Sequence, residues 1–89
     1  MLIIKDVRRV KAGISRTGFL AKLFVKTADH KKFVVDSKVF ETSKQAFQWL
    51  LNRIGLVLFK NEIKDVLNFD LLIIDKNGTI ESFVVTVKE

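Results

Sequence analysis

The sequence contains no cysteine, no proline and no tyrosine, and it has one histidine and four glycines. Without cysteine there are no disulfides, no thiolate metal sites and no thiol catalysis, and the chain suits a reducing compartment. Without proline no chain stop is enforced by ring chemistry, so turns fall to Gly, Asn and Asp. The glycines at 13, 18, 55 and 78 build neither a G-x-G-x-x-G fingerprint nor a phosphate loop ending in Gly-Lys-Ser/Thr. His30 stands between Asp29 and Lys31 in turn-like sequence and reads as a solvated turn residue, not as the base of a nucleophilic triad.

Long apolar runs are also missing. Leu56–Phe59 and Leu71–Ile74 are four residues each, whereas a bilayer span needs roughly 20. The opening Met1–Asp6 is too short and too soon charged for a signal peptide. The expectation is a cytoplasmic protein with no membrane partner. The acids Asp36, Asp70, Asp75 and Glu81 are scattered and form no alternating calcium loop. No metal site and no cofactor are expected.

What remains is an ordinary globular composition, 48% hydrophobic and 29% charged over 89 residues. Size scaling for such a chain predicts roughly 5,300 Å² exposed when folded, of about 14,800 Å² unfolded. That is one domain, residues 1–89, with one modest core. Richness in Lys, Ile and Phe fits an AT-rich genome, such as that of many phages and mobile elements, so a viral or mobile-element origin is expected.

The pattern predicts an α+β fold: a small, mostly antiparallel five-stranded sheet with one long helix packed on one face, in the order β-β-β-α-(short α or β)-β-β. Residues 2–11 carry β-favouring bulk. Residues 12–18 read as a connection. Over residues 19–27, Phe19, Ala21, Leu23 and Val25 alternate with Leu20, Lys22, Phe24 and Lys26, which predicts a half-buried strand with a basic second face. A turn over 28–31 leads to a strand over 32–36. Thr42 or Ser43 can cap a helix whose core stripe is Phe47, Leu50, Leu51 and Ile54, with Gly55 as a left-handed stop. Leu56–Phe59 either continues the helix or forms a short buried strand, and residues 61–67, with Ile63, Val66 and Leu67 at helical spacing, fit a second short helix. Residues 70–75, apolar on both faces in the middle, predict a central strand. Asn77-Gly78 predicts a type I′ turn into a last strand over 79–87.

The net charge of +6 is lopsided. Residues 1–44 hold eleven Lys or Arg against four acids, and residues 45–89 hold five against six. Arg8, Arg9, Lys11 and Arg16 surround a predicted turn, and Lys22 and Lys26 flank Phe24. Cations interleaved with an aromatic suit a polyanion, with charge for the backbone and a ring for base stacking. The competing reading puts Phe24 under the helix or in a dimer contact. The expected function is a small nucleic-acid-binding, DNA- or RNA-contacting, or transcription-regulating domain, using a basic first hairpin. The alternative is a non-enzymatic protein-binding modulator or inhibitor with an acidic protein partner. Trp49, beside the main helical stripe, either widens the core or marks an interface, and the apolar fraction makes a homodimer plausible. Asp36-Ser37-Lys38 and Glu62-Ile63-Lys64 match the acid-x-lysine signature of a metal-dependent nuclease superfamily. Three residues match too easily in so lysine-rich a chain, and no enzyme is expected.

Overall fold

A computed structural model describes residues 2–11 and 18–87, the first segment through its backbone alone. The fold is α+β. The elements are β1 (Leu2–Lys11), β2 (Phe19–Thr27), β3 (Lys32–Phe40), α1 (Ser43–Lys60), β4 (Val66–Ile74) and β5 (Thr79–Val87). Every strand pairing is antiparallel, and the order across the sheet is β1-β5-β4-β2-β3. Side chains are described for the four strands β2–β5. The doubly apolar Leu71–Ile74 segment sits in the central strand β4.

The core lies between α1 and one sheet face. Ala21, Leu23 and Val25 of β2, Phe69 and Leu71 of β4, and Val85 of β5 are wholly buried, as are Ala46, Leu50, Ile54 and Val57 of α1. The alternation read from β2 is present in full: its odd positions from Ala21 to Thr27 are buried and its even positions are half-buried. Thr42 caps α1. Its hydroxyl accepts from the Gln45 amide at 3.2 Å, and the Gln45 side chain accepts from the Thr42 amide at 3.3 Å, so two otherwise orphaned donors are satisfied.

Several expectations are corrected. The helix does not stop at Gly55. It continues to Lys60 because Val57 extends the buried stripe of Leu50 and Ile54, and that burial outweighs the roughly 1 kcal/mol cost of glycine in a helix. The stop is Asn61, whose left-handed backbone (φ 54°) lets its amide and that of Glu62 reach back to the last carbonyls. Of the two readings open for Leu56–Phe59, the helix continues, and residues 61–67 hold no second helix but a turn and the start of β4. The third strand runs on to Phe40, past the expected 32–36. The last hairpin does not use a type I′ turn. Gly78 has positive φ (82°) but Asn77 does not. Asp75 organises the loop instead, its carboxylate accepting from the amides of Asn77 (2.8 Å) and Thr79 (2.9 Å).

The largest correction concerns the expected first hairpin. β1 pairs with β5, not β2. With β5 and β4 between them, β1 and β2 lie three strand spacings apart, about 14 Å. Gly18 precedes β2 at a close approach: a Cβ there would stand 2.8 Å from the Phe40 carbonyl oxygen of β3.

Candidate functional site

The helix covers one face of the sheet, and among the described residues no element lies over the other. Lys22, Phe24 and Lys26 are on that open face, because they alternate with the buried Leu23 and Val25. Phe24 is therefore not under the helix. Across β2 the same face carries Lys32 and Val34 of β3, opposite Lys26 and Phe24, and Asp70 and Leu72 of β4, opposite Phe24 and Lys22.

The electrostatics here are more mixed than the sequence suggests. The Lys32 ammonium lies over the Phe24 ring, 5.5 Å from its centroid, and forms a salt bridge with Asp70. This cation–π and ion-pair cluster occupies the middle of the stripe. Lys22 and Lys26, above and below it, have no carboxylate partner among the described residues. Among the described side chains, three cations thus face one carboxylate. Sequence reasoning missed Lys32 and Asp70. The turn at 28–31 was a usable signal for Lys32, since folding back there brings it beside Lys26. Asp70 gave no such signal, because its neighbour Phe24 is 46 residues away.

The remaining site candidates of β1 are placed by backbone pairing alone. Arg8 pairs with Ser82, Arg9 with Glu81 and Lys11 with Thr79, at the far edge of the sheet. Arg16 lies outside the described residues. Trp49 is half-buried, with its ring 5.5 Å from that of Phe40 in β3, and so it widens the core at that edge.

The acid-x-lysine pair has a structural role. Asp36 of β3 and Glu62 beyond α1 converge on Arg53, whose Nε donates to Asp36 at 3.1 Å and whose Nη1 donates to Glu62 at 3.2 Å. Glu62 first, then Asp36, holds the guanidinium charged, raising its pKa. An arginine thus stands where a shared metal would, and no group of three potential metal ligands occurs among the described residues.

At the β2–β3 turn, the Thr27 hydroxyl donates to the Asp29 carboxylate. That bond, with smaller help from Lys31, lowers the Asp29 pKa below its ordinary value of 3.8. His30 sits exposed in this turn with positive φ. No described helix is long and apolar enough to cross a membrane. Compared with family models, curated proteins and solved structures, the chain matches none.

Proposed function

We propose that this chain is a small, non-enzymatic nucleic-acid-binding domain of a transcription-regulating kind that takes a single strand of DNA or RNA on its open sheet face. The observation that carries this reading is the placement of Lys22, Phe24 and Lys26 on one uncovered face, with Lys32 alongside and a single carboxylate, Asp70, among them. Lys22 and Lys26 contact phosphates. Lys32 swings from the Phe24 ring to a third phosphate, and the ring it vacates stacks on a base. A flat sheet with an aromatic suits unstacked bases better than a duplex groove. Phosphate contacts of this kind give affinity with little sequence readout.

Fluorescence anisotropy of a labelled oligothymidylate and an oligouridylate, titrated across salt, tests the reading. Three phosphate contacts on a single strand give a slope of log K on log salt of about −2. The Lys22→Ala/Lys26→Ala double variant brings the slope to about −0.7. Phe24→Ala costs about 1–3 kcal/mol of binding. Salt-indifferent binding would overturn the proposal. Equal affinity for an oligoglutamate of matched charge, with no loss in Phe24→Ala, would replace it with an acidic protein partner.

A further inference from the structure

β3 ends the sheet, and among the described residues no strand pairs with its outer side. Such an edge offers a row of free amides and carbonyls. Six of the nine residues of β3 are exposed. Of the six large apolar side chains exposed among the described residues, three are on this strand: Phe33 (44%), Val34 (51%) and Val39 (54%). Three charges, Lys32, Asp36 and Lys38, stand among them. Charges on an edge strand ordinarily discourage pairing, so a partner for this edge has to answer them.

The pairing with β2 fixes which side chains of β3 share a face. Phe33, Asp36, Lys38 and Phe40 lie opposite Val25, Leu23, Ala21 and Phe19, on the helix side. Lys32, Val34, Ser37 and Val39 lie opposite Lys26, Phe24, Lys22 and Leu20, on the open side. Val35 is one extra residue between Val34 and Asp36, whose β2 partners are consecutive, so it forms a β-bulge. When two such strands run antiparallel with Ser37 on a two-fold axis, the strand answers itself. Ser37 meets Ser37, Asp36 meets Lys38, and beyond the bulge Val34 meets Val39 and Phe33 meets Phe40. Each of these pairs lies on one face, and at the ends Lys32 comes level with Glu41. Cross-strand pairs of opposite charge and of apolar bulk are the ones that stabilise a sheet. The neighbouring registers fail. A slip of two residues sets Lys38 against Lys38 or Asp36 against Asp36 at the axis, and like charges directly opposite are destabilising. A slip of one sets open-side residues against helix-side ones. The Asp36 carboxylate accepts from Arg53 at 3.1 Å and from the Ser37 amide at 2.9 Å, yet its side chain is 40% exposed. Lys38 lies over the Phe40 ring and has no carboxylate partner among the described residues.

We infer that two copies of this chain pair edge to edge through β3, with Ser37 on the two-fold axis. The two sheets become one continuous antiparallel sheet, with β1 at both outer borders and both helices on the same side. The occupant of the edge is a second copy because the order of charge and bulk along β3 is complementary to itself. The same charges that repel an unmatched strand select this one. The axis stands perpendicular to the sheet, so the two open faces join on the side away from the helices. Lys22, Phe24 and Lys26 stay uncovered, and the pairing does not depend on the nucleic-acid reading.

Sedimentation velocity of the nuclease-treated chain, from about 1 µM to about 500 µM, is expected to show a dimer at the upper end. Val39→Asp, at a position already solvent-exposed, is expected to weaken it at least about tenfold with unchanged circular dichroism. Phe59→Asp on the outer face of α1 and Val84→Lys on the open sheet face should leave it unchanged. Because the chain has no cysteine, single cysteines read the register. Across the axis the two Ser37 Cα atoms stand about 4.5–5.5 Å apart, within the roughly 4.4–6.8 Å that a disulfide spans. The two Lys38 Cα atoms, offset by two residues, stand about 8 Å apart, beyond that reach. Under mild oxidation Ser37→Cys is therefore expected to form a disulfide-linked dimer at least about tenfold faster than Lys38→Cys or Phe59→Cys. A monomer throughout the concentration range overturns the inference. So does a dimer that Val39→Asp leaves intact, one that Phe59→Asp or Val84→Lys weakens as much, or cross-linking of Ser37→Cys no faster than of the other two.

Discussion

The two faces of β2 are built from consecutive residues and do different work. Toward α1, Ala21, Leu23 and Val25 have no exposed surface and interlock with Leu50, Ile54 and Phe69. On the other side, Lys22, Phe24 and Lys26 are half-exposed, and their neighbours are a cation–π contact and a salt bridge. The difference teaches that an aromatic side chain in a strand is not thereby core. Phe69 and Phe24 lie on the adjacent strands β4 and β2, one under the helix and one under a lysine. Stability is concentrated on the covered face, which leaves the open face free to vary its chemistry.

The sharpest way to break this comparison is to truncate both rings. Phe69→Ala removes a wholly buried side chain and is expected to cost about 3–5 kcal/mol. Phe24→Ala gives up a partly solvated ring and one lysine contact and is expected to cost about 1 kcal/mol. Urea unfolding of the two variants decides the matter, and equal losses would mean the open face is as structural as the covered one. A smaller effect probes the helix. Gly55 is solvent-facing and helical, so Gly55→Ala at micromolar concentration is expected to stabilise by about 0.5–1 kcal/mol. Destabilisation in the same unfolding measurement would restore the view that Gly55 ends α1.

The smallest effect concerns the turn that joins β2 to β3. The folded pKa of Asp29 is depressed by the Thr27 hydroxyl. Its contribution to stability is therefore present above the ordinary value of 3.8 and lost as pH falls through the lowered folded value. Thr27→Val removes that donor and is expected to raise the Asp29 pKa toward 3.8, read by carboxyl NMR titration. An unmoved titration would show that the hydroxyl does not hold the carboxylate.

Much of the fold was legible because it is local. Period-2 alternation placed Lys22, Phe24 and Lys26 together, and the hydroxyls of Thr42 and Ser43 announced a cap, which Thr42 supplies. The doubly apolar Leu71–Ile74 segment announced a central strand. What was not legible involved partners far apart in sequence. Nothing near Arg8 or Arg9 says that β1 pairs with β5, so the cations of the first half looked like one hairpin. Arg53 drawing in Asp36 and Glu62, and Lys32 reaching Asp70, likewise needed the elements to be assembled. The end of α1 was misjudged at Gly55, because a local stop signal competes with burial of Val57, and burial is a tertiary quantity.

By itself, then, the order of residues determined the α+β class, which side chains in β2 share a face, the helix start and the surplus of positive charge, since each depends on backbone periodicity or on counting. Tertiary structure alone decided the strand order, the acids gathered around Arg53 and the carboxylate set among the lysines. Those depend on which distant segments touch, and contact between distant segments is settled by the packing of the whole chain.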